Sequence, residues 1–320
     1  MPPVDDETVG SVLDPRGEAA ARIEVLWWIM FALGVLVFAF FVVSFLVGVR
    51  RDAGAGSPIE RRDDHEGSSR RWILGAGVIA PSIIIAIVFV ATVWSMRASS
   101  QAAPDDALVI EVTGHQWWWE VSYPAAGVVS ANEVHVPAGV RVEIELRSAD
   151  VIHSFWVPAL AGKLDALPER TNVLALVADE PGRYAGRCAE FCGIQHTNQD
   201  FVLIAHEPAE FERWLAERGG VAAAPTSAEA RRGAELFASA GCGSCHRVAG
   251  IAAGGAEPAP DLTDVASRWS ILGGMLEPSV PDLRTWIAEP HSVKPGALMP
   301  PAELDDDEIA AVAAWIETLT

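Results

Sequence analysis

The sequence predicts a multi-domain chain: a two-helix transmembrane hairpin, an all-β domain, and then a small all-α domain. Three observations carry this. Two long apolar runs stand near the start, a block of alternating apolar and polar residues follows, and helical periodicity takes over after a Gly/Ala-rich break.

Leu26 to Val49 (LWWIMFALGVLVFAFFVVSFLVGV) and Ile73 to Met96 (ILGAGVIAPSIIIAIVFVATVWSM) carry no charge over lengths that cross a lipid bilayer as helices. Buried core helices are the alternative, but water-soluble cores rarely hold apolar runs this long. Pro81 is tolerable in a span, where neighbouring helices satisfy the carbonyl it frees. The loop 50–72 contains Arg50, Arg51, Arg61, Arg62, Arg70 and Arg71, against Arg16 and Arg22 ahead of the first span. That bias predicts a cytoplasmic loop, with both termini outside. The expected order is an exported segment 1–22 and a hairpin 23–97, its first span acting as the insertion signal.

The formal charge of −20 argues against nucleic acid and fits a basic partner or an acidic solvated surface. LVIEVTG, WWWEVSY, NEVHV, RVEIELRS, TNVLALVA and DFVLIAH alternate in the manner of short antiparallel strands. They place a sandwich or barrel at 106–213, closed by the amphipathic helix PAEFERWLAERG. GGVAAAPTSA marks a linker, 214–226. Beyond it SAEARRGAELFASAG, SVPDLRTWIAEP and PAELDDDEIAAVAAWIETL read as helices of a domain at 227–320, the last with acids in its first turn.

Four cysteines form two close pairs, for which an exported domain makes disulfides the default. Their neighbours argue otherwise. CGSCH at Cys242, Cys245 and His246 is the attachment signature of c-type haem: two thiols add to the vinyl groups and the histidine becomes an axial ligand. A zinc site needs two further ligands, and His291 is the only other histidine in this domain. The sixth ligand of such a haem is usually Met or His. Met299, in the Pro-flanked loop KPGALMPP, is the candidate, and Met275 in ILGGML reads as packing.

The second pair lies in RCAEFCGIQHTNQ, where Cys188, Cys192 and His196 join His153 of DVIHSFWVP. Thiolate with imidazole suits a dinuclear copper centre and suits zinc equally, and a disulfide beside idle histidines is a third option. GHQWWWEVSYP, DVIHSFWVP, GKLDALPERTN and CAEFCGIQH, in that order after two spans, resemble subunit II of haem–copper cytochrome c oxidases. The resemblance covers about residues 20–215. The remainder is similar to class I cytochrome c domains, through APDLT (Ala259 to Thr263), KPGALMP and the pair Trp315–Ile316. Together they resemble the caa-type oxidases of respiratory chains.

The resemblance implies a cupredoxin-like domain holding dinuclear copper A, and a covalent haem c. Cys188 and Cys192 would bridge the coppers, with His153 and His196 capping them. The Glu190 carbonyl would be a weak axial ligand, and its carboxylate would help bind Mg2+ or Mn2+ at subunit I. Trp117 would be the aromatic through which electrons reach the copper, ahead of Trp118 and Trp119. Met299 would ligate the haem iron, and the Pro260 carbonyl would orient His246. Implied partners are oxidase subunits I and III and a donor, either cytochrome c or a membrane complex. Electrons would pass from haem c to copper and on to subunit I for reduction of O2 to water, with no oxygen chemistry on this chain. His115, His135 and His206 read as hydrogen-bonding residues.

Three positions depart from that pattern. The family places a methionine where this chain has Gln199, and no methionine lies in the copper domain. The Gln199 amide oxygen is the expected replacement; a site holding zinc, or no metal, is the competing expectation. Glu169 replaces a usual glycine, and the second span lacks a glutamate at its start. Two rival readings are the corresponding subunit of a copper-A nitric oxide reductase and a membrane-anchored copper chaperone. The chaperone would need an αβ thioredoxin-like pattern.

Overall fold

The computed structural model describes residues 8–52, 66–99, 102–255 and 259–320. Residues 1–7 and most of the arginine-bearing loop, Arg61 and Arg62 included, lie outside the described residues. The chain divides into two units, 21–101 and 1–20 with 102–320.

The first unit is built from α1 (Glu18–Asp52), α2 (Glu66–Leu74) and α3 (Ala80–Ser99). Two stretches, Glu18–Arg50 and Arg70–Arg97, each contain an 18-residue run of mean hydropathy 2.8 and 2.7 respectively, and they expose their apolar side chains. Such an all-round apolar surface has no favourable place in water and suits lipid. A π-turn, Gly75–Ile79, joins α2 to α3 just ahead of Pro81. Proline has no N–H for the carbonyl four residues back, and the wider turn shifts the register where that bond is missing.

The second unit begins with β1 (Thr8–Val9) and continues after the hairpin with two sheets. One contains β2 (Val109–His115), β3 (Trp118–Tyr123), β4 (Val128–Ala131), β6 (Val142–Ser148) and β9 (Asn172–Leu176), in the order β4-β3-β2-β6-β9. The other contains β5 (Glu133–Pro137), β7 (His153–Trp156), β8 (Leu164–Ala166), β10 (Gly182–Cys188) and β11 (Asp200–His206), in the order β5-β11-β10-β7-β8. β1 lies parallel to β10, with Thr8 opposite Arg183. Alternate residues of β6 are buried, the period-2 pattern of a strand with one face on a core. That core holds Ile110, Val112, Trp119, Ile144, Phe155 and Leu203. Trp119 meets Phe155 and Phe201 edge-on, with centroids 5.9 and 5.7 Å away. β2, β3, β5, β6, β9 and β11 are the strands the alternation predicted; β1, β4, β7, β8 and β10 are additional. β2 pairs parallel with β6, and β5 with β11, where antiparallel strands were expected. α4 (Pro208–Arg218) closes this part.

The C-terminal part comprises α5 (Ala228–Ser239), a short hairpin of β12 (Arg247–Val248) and β13 (Ala252–Ala253), α6 (Val280–Ala288), α7 (Pro290–Val293) and α8 (Asp306–Ile316). Ser227 caps α5 through the Ala230 N–H, and Asp305 with Glu308 forms a capping box on α8. Caps of this kind are each worth about 1 kcal/mol. α5 and α8 cross at Gly233, where a Cβ would collide with the Ala311 carbonyl. Phe237 meets Trp315 edge-on at 4.9 Å beside that crossing.

Candidate metal centre and haem motif

Cys188 ends β10 and Cys192 lies in the following loop. Their thiols are free, with sulfurs 3.8 Å apart. His153 opens β7 and brings Nδ1 to 3.9 Å from the Cys188 sulfur, while His196 Nδ1 is 3.6 Å from that of Cys192. The donor atoms of His153, Cys188 and Cys192 lie within 4.8 Å of one another. The Glu190 carbonyl is 3.3 Å from the Cys188 sulfur, and its carboxylate points away, 4.0 Å from Lys163. The fold thus gathers His153, Cys188 and Cys192 into one cluster, with His196 beside Cys192 but outside that close group of three.

Gln199 is fully buried, and its amide is oriented by two bonds: Nε2 donates to the carbonyls of His115 (3.0 Å) and Trp118 (3.2 Å). Oε1 therefore faces the cluster, 3.1 Å from both the Cys192 sulfur and His153 Nδ1. His153 is fixed by Asp150, whose Oδ1 lies 2.7 Å from Nε2, leaving Nδ1 towards the sulfurs. Gly114 makes room for this ring, since a Cβ there would lie 2.7 Å from it. Sequence reasoning missed Asp150, although a carboxylate three residues before a ligand histidine was a local signal.

Electrostatics set Cys188 apart as the thiolate of the cluster and favour protons on Cys192 and His153, which a metal would displace. The hydrogen bond with Cys192 pulls the Cys188 thiol down to about 3, with His153 adding to the effect. Cys192 is pushed up by sharing its proton with Cys188 and by burial. Burial opposes charge on His153, but its bonds to Cys188 and Asp150 prevail and raise it. Thiolate, imidazole and carbonyl donors in one buried pocket form a soft set with a harder axial oxygen, which fits copper.

The three tryptophans separate clearly. Trp119 is core, and Trp118 stacks on His115 at 4.3 Å. Trp117 donates from Nε1 to the Cys192 carbonyl at 3.1 Å, and Gln116 reaches the same oxygen at 2.6 Å. His135 and His206 bond to each other at 2.8 Å, and Trp214 stacks on His135 at 3.9 Å. Burial lowers His115 and His206 to about 4, and neither brings a donor atom to the cluster. Glu169 is exposed in the turn closed by the Leu167–Arg170 bridge.

In the C-terminal part, Cys242 and Cys245 lie on a short turn after α5, both free. His246 donates from Nδ1 to the Pro260 carbonyl at 2.8 Å, as the resemblance implied, and Nε2 is left for a ligand. Burial lowers this histidine, favouring the neutral form that binds iron. Met299 and Cys242 pack against the same apolar core. These residues fit a covalent haem.

The two parts also touch. Lys294, 4% exposed, donates to the carbonyls of Trp117 (2.8 Å), Asn198 (2.9 Å) and Leu272 (2.8 Å). Gln195 Nε2 donates to the Pro295 carbonyl at 2.9 Å, and the Asp200 N–H to that of Gly273 at 3.1 Å. Gly273, at φ +74°, lies so close to the Asn198 carbonyl that a Cβ there would clash.

A family profile for the periplasmic domain of cytochrome c oxidase subunit II matches residues 126–205, and a cytochrome c profile matches residues 230–320. The chain is 34% identical over 319 residues to cytochrome c oxidase subunit 2 of Alkalihalophilus pseudofirmus, across 97% of this chain and 90% of that one. The chain belongs to the cytochrome c oxidase subunit II family. Cytochrome c oxidase subunit 2 of Bacillus subtilis is 29% identical over 333 residues, covering 97% of this chain and 91% of its own. The solved periplasmic domain of subunit II from Bradyrhizobium japonicum is 30% identical, with a TM-score of 0.35 over 37% of this chain and 96% of that one. Membership makes the chain an oxidase subunit that takes in electrons, with a cupredoxin-like domain and a cytochrome c domain beside two apolar helices. Those domains imply copper A and haem c as cofactors.

Proposed function

We propose that this subunit receives electrons at haem c and passes them through Trp117 to a dinuclear copper centre. From there they continue to oxidase subunit I for reduction of O2 to water. Haem and copper would supply the one-electron chemistry, and the chain's own residues would hold and connect them. Cys188 and Cys192 would bridge the coppers, His153 and His196 would cap them, and the Gln199 amide and Glu190 carbonyl would fill weak axial places. Cys242 and Cys245 would fix the haem, with His246 and Met299 as axial ligands. The Glu190 carboxylate would serve Mg2+ or Mn2+ shared with subunit I, and subunit III would complete the complex.

One observation carries this reading. Trp117 is hydrogen-bonded to the backbone of Cys192 and lies within contact distance of Gly296, in the loop that presents Met299. A single indole thus touches both halves of the relay. The side of the termini belongs to the same proposal. Pairing of β1 with β10, the strand that ends in Cys188, supports an N-terminus on the face of the redox domains.

Metal analysis with optical and EPR spectra of the purified full chain tests the assignment. Two coppers per chain, a mixed-valence signal and covalently attached haem are expected. A single zinc without a near-infrared band would refute the copper relay.

A further inference from the structure

The chain contains only two lysines, Lys163 and Lys294; every other basic side chain is arginine. Lys294 is also the buried one. Its ammonium has three N–H donors, and three backbone carbonyls receive them. Leu272 belongs to the haem part, whereas Trp117 and Asn198 belong to the copper part. One of the acceptors is thus the backbone of the residue that touches Cys192. A guanidinium spreads its donors over a flat fork and does not converge on one point in this way.

The surroundings make the contact one of register rather than of general adhesion. Lys294 begins the stretch KPGALM that leads to Met299. Two residues on, Gly296 at φ +84° rests on the Trp117 ring, where a Cβ would lie 3.3 Å from the indole. The Pro295 carbonyl between them accepts from Gln195, next to His196. The same loop therefore holds the haem-ligand methionine, the buried cation and the indole contact. Burial opposes the charge and lowers the ammonium to about 7. A cation in such a place is tolerated only while all its acceptors stay in position.

We propose that Lys294 is a positioning residue for internal electron transfer, a latch that sets the Met299 loop against Trp117. This rests on the relay proposed above. The transfer served moves one electron: ferrous haem becomes ferric, the copper pair is reduced by one charge, and no bond forms or breaks. Removing the ammonium leaves two copper-part carbonyls buried without a donor and frees the loop to shift. Misplacement by about 1 Å is enough to slow a reaction that depends on fixed geometry.

The test uses the full chain within its complex and the variants Lys294→Met and Lys294→Gln. Haem and copper spectra should be retained in both. Amide exchange should rise at Gln116–Trp119 and Ile194–Asp200, segments that a lysine serving only its own loop would leave unchanged. The rate of internal transfer after photoreduction of the haem should fall on the order of tenfold in the Met variant. It should fall less in the Gln variant, whose amide still donates. Unchanged exchange in the copper part, or an unchanged transfer rate, overturns the latch. If both variants lose their cofactors, the wild-type chain decides. Residues 116–119 and 294–299 should then open as one unit in native-state exchange, and independent opening overturns the proposal. A wild-type chain without copper defeats the relay reading, while the exchange result still judges the contact.

Discussion

At the scale of single residues, the proposed copper site turns on Gln199. Two carbonyls hold its Nε2, so Oε1 cannot turn away without leaving both bonds unmade. A carbonyl oxygen is a harder donor than a thioether and favours oxidised copper. Gln199→Met should therefore raise the copper potential in a redox titration; an unchanged or lower potential would remove Gln199 from the axial role. The Cys–His cluster was legible in the sequence, but its spacing left zinc and a disulfide open, and only the family resemblance pointed to copper. Asp150 and Lys294 were not legible. Lys294 lies 177 residues from Trp117 and makes its contacts to backbone, which carries no side-chain signature. The one available hint was compositional: a lysine kept in a chain that otherwise uses arginine.

At the scale of elements, the haem part depends on the α5–α8 crossing. Gly233 lets the two backbones approach, and Phe237 and Trp315 fill the space beside it. Gly233→Ala would force a methyl group into the Ala311 carbonyl. It should cost about 3 kcal/mol or more, read as a fall in the unfolding temperature of the haem part, with the copper spectrum unaffected. A variant as stable as wild type would show that the helices slide apart without penalty. Periodicity revealed these helices and six of the strands before them, because burial on one face imposes a pattern on the sequence. It did not reveal β7 and β10, which carry His153 and Cys188. Nor did it reveal the π-turn ahead of Pro81, since a local change of helical register leaves an apolar run equally apolar.

At the scale of the whole molecule, composition marked a Gly/Ala-rich linker between the two redox domains. The structure fixes part of it. Ala222 donates its N–H to the Ala249 carbonyl, and Val221 packs on Gly250. The contacts that join the parts are chiefly buried hydrogen bonds to backbone, with one ion pair, Arg218–Asp264, beside them. Charge-steered partners weaken as salt shortens the screening length, about 8 Å at physiological strength. Internal transfer should therefore keep its rate between low and high ionic strength, measured by flash reduction at both. A steep decline would indicate a domain that docks and leaves. The strand Thr8–Val9 has a different consequence, one of timing. It is synthesised ahead of both apolar helices, yet its partner Arg183–Tyr184 comes after them and after most of the copper domain. That edge of the sheet can be completed only late, once those intervening segments have been made.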